Sequence, residues 1–122
     1  MFTQTIVRTP SRTLAEGITS APDLGKPDYE KALVQHNAYI DTLKACGVAV
    51  EVLAADERYP DACFVEDVAV CTPAFAMVTS PGAPTRMGEE EVITGVLKKY
   101  YNAIEHIQAP GTLEGGDVMM VG

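Results

Sequence analysis

The sequence is short of positive charge, of cysteine and histidine, and of long apolar runs. Nine basic side chains stand against 17 acidic ones, for a net charge of −8. A nucleic-acid partner needs a basic face for its phosphates, so this balance argues against one. No apolar stretch approaches the ~18 residues of a membrane-spanning helix. The N-terminus also lacks the basic segment and apolar run of a signal peptide. The expectation is a cytoplasmic protein with no membrane partner. The three cysteines, Cys46, Cys63 and Cys71, are odd in number and lack CxxC spacing. They fit reduced thiols better than a disulfide frame or a zinc site.

Catalytic signatures are scarce too. GxSxG, HExxH and GxGxxG are all absent, which removes the serine-hydrolase elbow, the zinc protease and the dinucleotide site. No histidine pairs convincingly with a cysteine. His36 falls on a helix face and His106 in a strand. Cys46, in a last helical turn, and Cys71, in an apolar strand, are expected to be core residues. Cys63 stands beside carboxylates that disfavour its thiolate. Nothing supplies the histidines of a zinc site or the loop of a calcium site, so no metal is expected. The chain therefore carries no complete nucleophilic machinery of its own.

What is present suits a single modest globular domain of 122 residues, with 47% hydrophobic and 21% charged content. The periodicity predicts an α/β order. Phe2 to Arg8 is a strand, and a polar loop follows from Ser11 to Gly25. A helix opens at Pro27, Asp28 and Glu30, carries Tyr29, Ala32, Leu33, His36, Ile40 and Leu43 at helical spacing, and ends at Gly47. Val48 to Leu53 is a strand with Val48, Val50 and Val52 on one face. A turn-rich linker from Asp56 to Asp61 leads to two β runs, Val68 to Thr72 and Phe75 to Thr79, close enough to pair antiparallel. A loop from Ser80 to Gly88 opens a second helix, which starts at Glu89, Glu90 and Glu91 and ends at Lys98 and Lys99. Ala103 to Ile107 is a strand, Gly111 to Gly116 a loop, and Asp117 to Val121 the start of one more strand. Asp67 and Asp117 both head apolar runs, 50 residues apart, with strand, strand, helix and strand between them. Such a period is what a radial or stacked repeat would show.

Three segments hold groups with chemical potential. Asp61, Glu66 and Asp67 place three carboxylates within seven residues. Glu66 and Asp67 would point to opposite faces if extended. A carboxylate at the mouth of a buried strand needs a cation or several donors, and a guanidinium matches it bidentately. A solvated acidic turn has the same signature. Leu113-Glu114-Gly115-Gly116-Asp117 combines paired glycines, which allow close backbone approach, with a glutamate able to orient a histidine. An ordinary hinge would look alike. Arg86 ends the stiff loop Ser80-Pro-Gly-Ala-Pro-Thr-Arg86, where it suits a ligand carboxylate or plain solvent. The acidic balance itself serves a cationic ligand or simple solubility.

Taken together, Phe64-Val-Glu-Asp67 after Pro60-Asp61, the loop ending in Arg86, and Leu113 to Asp117 resemble the dimethylarginine dimethylaminohydrolases. Arg8-Thr-Pro and Gly25-Lys-Pro-Asp-Tyr29 are similar as well. The likeness runs over the whole chain but over only about the first half of such an enzyme. It implies an α/β fold of ββαβ units, an incomplete five-bladed β/α propeller (pentein) of the amidinotransferase superfamily, with residues 1–122 as a single partial domain. By the resemblance, Asp67 holds a substrate guanidinium, with Asp61 and Glu66 completing the polar site. Arg86 takes the α-carboxylate, and Ile18 lies in a flexible lid where family members often have leucine. Glu114 orients a catalytic histidine. That histidine, the nucleophilic cysteine and a second carboxylate-binding arginine belong to the family's C-terminal half. The implied reaction converts N-omega-methylated arginine to citrulline and dimethylamine with no metal or organic cofactor. The implied partners are that small molecule and either the missing half or a second copy of the chain. Two other readings stay open: an arginine deiminase-like enzyme, and a non-catalytic arginine-analogue-binding module acting as a dimer.

Overall fold

The computed structural model describes residues 2–121, which form two compact units, Met1–Phe64 and Val65–Gly122. The first unit is built from strand β1 (Gln4–Arg8), helix α1 (Tyr29–Ala45) and strand β2 (Ala49–Leu53). The strands pair in parallel, from Gln4 opposite Ala49 to Arg8 opposite Leu53. Parallel neighbours require a crossover, and α1 supplies it.

The helix is delimited by its caps. Asp28 accepts a hydrogen bond from the Lys31 amide at 2.7 Å, satisfying one of the donors a helix start leaves orphaned. Gly47, at a φ of 80°, reverses the chain after the last turn and donates to the Lys44 carbonyl at 2.9 Å. Between the caps the apolar stripe falls as its spacing requires. Ile40 is buried, Tyr29, Ala32, Leu33, His36 and Leu43 are half-buried, and the opposite face is exposed. Burial lowers the pKa of His36 by more than a backbone hydrogen bond with Arg8 raises it. Val7 of β1 joins Ile40 in the core, and the Arg8 guanidinium is buried and donates to the Ala54 carbonyl at 3.0 Å.

The second unit follows the order strand, strand, helix, strand. Its elements are β3 (Ala69–Cys71), β4 (Ala76–Val78), α2 (Glu89–Leu97) and β5 (Ile104–His106). β3 and β4 pair antiparallel, β4 and β5 parallel, so β4 is central. The turn between β3 and β4 closes on Thr72, whose hydroxyl bonds the Phe75 carbonyl at 2.7 Å while accepting the Phe75 amide at 3.0 Å. Ile93 and Leu97 of α2, Ala76 and Val78 of β4, and Val68 form the core.

Several expectations need correction. Asp117 to Val121 is not a strand: Gly115–Asp117 makes a 3-10 turn, and the residues after it join no ladder. Val118, Met119, Met120 and Val121 are all exposed. A run of β-formers becomes a strand only when a neighbour accepts its backbone groups, and the described residues offer none. Likewise Val65–Val68 is a 3-10 turn, and β3 begins only at Ala69. The two acid-led strands of the repeat are thus two acid-bearing turns. Cys46 lies past the last turn of α1 and is exposed, and Cys71 is only half-buried. Val52 is exposed, so the valine face of β2 is not a uniform core face. The polar loop after β1 contains two 3-10 turns, Arg12–Glu16 and Pro22–Leu24.

Two predictions follow from this packing. Leu97, 1% exposed, fills the core beneath α2. Leu97→Ala should lower unfolding free energy by about 2–5 kcal/mol in urea titration. Because the folded state disfavours protonated His36, its contribution is present above the ordinary histidine pKa of about 6.5 and is lost as pH falls through the lower folded value. Melting temperature should therefore drop on acidification below neutral, and His36→Asn should flatten that part of the profile.

Candidate functional site

The nominated residues fall into two clusters, one in each unit. In the first, Asp61 is buried at the end of the linker after β2. Both of its carboxylate oxygens face the Ile18 amide, at 3.2 and 3.0 Å. The chain approaches so closely here that a Cβ on Gly17 would collide with the Asp61 carboxylate. The same loop is tied back by Arg12, whose amide donates to Glu57 at 2.8 Å. Asp61 and Ile18, chosen from the sequence for separate reasons, are therefore hydrogen-bond partners.

The second cluster gathers Glu66, Asp67, Arg86 and Glu114. Asp67 sits on the turn Val65–Val68, pinned because the Thr79 hydroxyl donates to its carbonyl at 2.6 Å. Its Oδ1 accepts the Gly116 amide at 3.0 Å, and its Oδ2 pairs with Nη1 of Arg86. Arg86 ends the turn Pro84–Arg86 and is 6% exposed. Its other edge meets Glu89, with Nε 3.0 Å from Oε1 and Nη2 2.8 Å from Oε2. Burial works to lower the Arg86 pKa. The hydrogen bonds and charge of Glu89, then those of Asp67, outweigh it and raise the pKa above the ordinary arginine value.

Glu114 receives the Gly82 amide on Oε1 at 2.8 Å. Its Oε2 is buried with no hydrogen-bond partner among the described residues, an acceptor left for a further donor. Glu66 is exposed. The sequence reading missed Glu89, which it treated only as a helix start. The available signal was the i, i+3 spacing of Arg86 and Glu89, which puts opposite charges within reach at a helix entry.

Chemically, the second cluster sets one guanidinium between two carboxylates. The ion-paired trio of Asp67, Arg86 and Glu89 carries a formal charge of −1, which favours an added cation, and Asp67, with a side chain 21% exposed, is its member open to solvent. Among the described residues no group of three histidine, cysteine or acidic side chains is close enough to hold a metal ion.

Comparison with known proteins bears directly on this arrangement. A family model described as N,N dimethylarginine dimethylhydrolase, eukaryotic, matches residues 25–122. The chain belongs to the dimethylarginine dimethylaminohydrolase family. It is 53% identical to the Pseudomonas aeruginosa N(G),N(G)-dimethylarginine dimethylaminohydrolase, over all of this chain and 48% of that protein. The Streptomyces coelicolor protein of the same name is 38% identical over 96% of this chain and 45% of its own length. The chain thus spans about half the length of these curated relatives.

Solved structures of family members agree. A mutant of the P. aeruginosa dimethylarginine dimethylaminohydrolase complexed with citrulline superposes with a TM-score of 0.97 at 53% identity, covering all of this chain and 48% of that one. A dimethylarginine dimethylaminohydrolase adduct with S-methyl-L-thiocitrulline gives the same values. The N-terminal domain of ArgZ, an arginine dihydrolase, matches 94% of this chain and 43% of its own with a TM-score of 0.81 at 15% identity, a likeness of fold alone.

The close approach of Gly115 to the Asp67 turn yields a prediction. A Cβ there would overlap the Glu66 carbonyl oxygen and lie 3.1 Å from that of Ala69. These are backbone atoms and cannot swing aside. Gly115→Ala should lower the melting temperature and shift the amide resonances of residues 66–69, whereas Gly95→Ala, with open space at its Cβ, should do neither.

Proposed function

We propose that this chain is the N-terminal, substrate-binding half of a hydrolase converting N-omega-methylated arginine to citrulline and dimethylamine. The observation that carries the reading is Asp67: a fixed, partly open carboxylate with a surplus of negative charge around it, in a chain 53% identical to a dimethylarginine dimethylaminohydrolase. In this reading the ββαβ unit is one blade of a five-bladed propeller. Asp67 takes the substrate guanidinium with Glu66 beside it, and the family resemblance assigns substrate contacts to Asp61 and Ile18 as well. Arg86 contacts the α-carboxylate.

The chemistry needs a cysteine thiolate and a histidine, which the reading assigns to the family's C-terminal half. The thiolate attacks the guanidinium carbon, and dimethylamine leaves as its nitrogen takes a proton. Water then cleaves the thiouronium intermediate, returning the thiol and releasing citrulline. Asp67 keeps the guanidinium cationic and oriented throughout. Glu114, with one oxygen on the Gly82 amide and the other unbonded, is suited to receive the imidazole N–H and fix its orientation.

The test joins this chain to the family's second half and measures citrulline release from dimethylarginine. Asp67→Ala should leave no measurable turnover. Arg86→Ala should raise KM more than it lowers kcat, and should do so more for dimethylarginine than for a decarboxylated analogue. Equal losses on the two substrates would assign Arg86 to Asp67 alone. Absence of citrulline from the wild-type assembly would refute the reading.

A further inference from the structure

Glu89 is a buried carboxylate that the proposed chemistry does not use. An acid in the first helical turn is favoured by the helix dipole without being buried. Glu90 and Glu91 occupy that turn as well, half-buried and exposed respectively. Glu89 differs, with a side chain only 5% exposed. A carboxylate so desolvated is tolerated only beside a cation that satisfies its oxygens. Arg86 does this with two parallel hydrogen bonds, from Nε at 3.0 Å and from Nη2 at 2.8 Å.

The forked geometry has a consequence one link further on. Two parallel bonds to the Nε edge set the plane of the guanidinium, as a single bond would not. The third nitrogen, Nη1, is then directed at Oδ2 of Asp67, while the Gly116 amide holds Oδ1. Glu89 therefore sets the orientation of a carboxylate that it does not touch. It also sets the charge. The charges of Arg86 and Asp67 offset each other, and Glu89 adds one negative charge beside them, which strengthens the attraction of Asp67 for an external cation.

We propose that Glu89 is a positioning residue, which clamps Arg86 so that Asp67 is held in orientation and remains selective for a cationic guanidinium ligand. This rests on the reading that Asp67 receives a guanidinium.

The experiment uses the whole chain, labelled with 15N, as wild type, Glu89→Gln and the exposed control Glu91→Gln. The Gly116 amide reports Asp67 directly because it is bonded to Oδ1. It should shift in Glu89→Gln and stay in place in Glu91→Gln. Each protein is then titrated with dimethylarginine, a cation at its guanidinium, and with citrulline, whose urea is neutral. Glu89→Gln should weaken dimethylarginine about tenfold, as expected for loss of a unit charge roughly 10 Å away at an effective dielectric near 20. Citrulline should change by less than about twofold, since its urea carries no charge for Glu89 to act on.

A folded Glu89→Gln with an unmoved Gly116 amide, or with equal weakening of both probes, would reduce Glu89 to a support of α2 and overturn the proposal. Should the melting curve show Glu89→Gln unfolded, Glu89→Asp carries the same readouts: it keeps the charge but shortens the reach, so Gly116 should move while selectivity for dimethylarginine persists. Wild type binding neither probe, alone or joined to the family's second half, would refute the ligand class, and the Gly116 shift would still decide whether Glu89 positions Asp67.

Discussion

A guanidinium buried between two carboxylates organises the second unit. Removing Arg86 from water would cost several kcal/mol if it went unpaired. The fold offsets that cost with Glu89 on one edge and Asp67 on the other. The partners come from far apart in the unit's sequence. Asp67 precedes β3, Arg86 and Glu89 flank the start of α2, and Gly116, which holds the other oxygen of Asp67, lies after β5. The apolar core of Val68, Val78, Ile93 and Leu97 drives this unit together. Hydrophobic contact is non-directional, however, and tolerates small shifts. The ion-paired trio does not, because a misplaced charge stays desolvated. It selects one register of turns among those the core alone would accept.

The two units share a second device, a carboxylate captured by a backbone amide beside a glycine. In the first unit Asp61 receives the Ile18 amide, and Gly17 next to it leaves room for the carboxylate. In the second, Asp67 receives the amide of Gly116, whose own missing Cβ leaves the space. Neither contact depends on a long side chain, so little rotamer entropy is lost in forming it. The outcome is a pair of aspartates with fixed positions. A carboxylate fixed in this way presents its oxygens in a defined direction, which recognition of a planar cation requires.

Much of this was legible in the residues. Gly47 ended α1 as expected, and the stripe from Tyr29 to Leu43 identified its packed face. The start, read at Pro27, falls at Tyr29 because Asp28 serves as the N-cap rather than as a helical acid. The spacing of Val68 to Thr72 and Phe75 to Thr79 revealed an antiparallel pair, now β3 and β4. The turns at Val65–Val68 and Gly115–Asp117 were not legible. Each is too short to have a period, and an acid followed by apolar residues reads as a strand with a charged end. Asp67, Arg86 and Glu114 stood out as chemistry-bearing groups, but their partners did not. Glu89 was masked by two neighbouring glutamates that serve the helix dipole equally well. Only burial separates it from them, and burial is a tertiary property. Cys46 was misplaced for a similar reason: one residue beyond the helix end, the facial argument no longer applies.

The same electrostatics bear on how an amino-acid ligand could be held at both ends. A net chain charge of −8 does not distinguish a cation site from ordinary solubility. The surplus around Arg86 is local and negative, and the proposed reading uses it as a cation site. That surplus meets solvent at Asp67, where the proposed reading docks a guanidinium. At the other end of the ligand the logic reverses. An α-carboxylate approaching Arg86 meets a cation already engaged by two carboxylates, so Arg86 alone attracts it weakly. Holding a zwitterionic arginine analogue therefore calls for another positive group near the carboxylate end. The family resemblance assigns such a second arginine to the C-terminal half, so both the chemistry and half of the substrate's anchorage would come from beyond this chain. On that division this chain supplies selectivity for the cationic end, and completing the site supplies the grip on the anionic one.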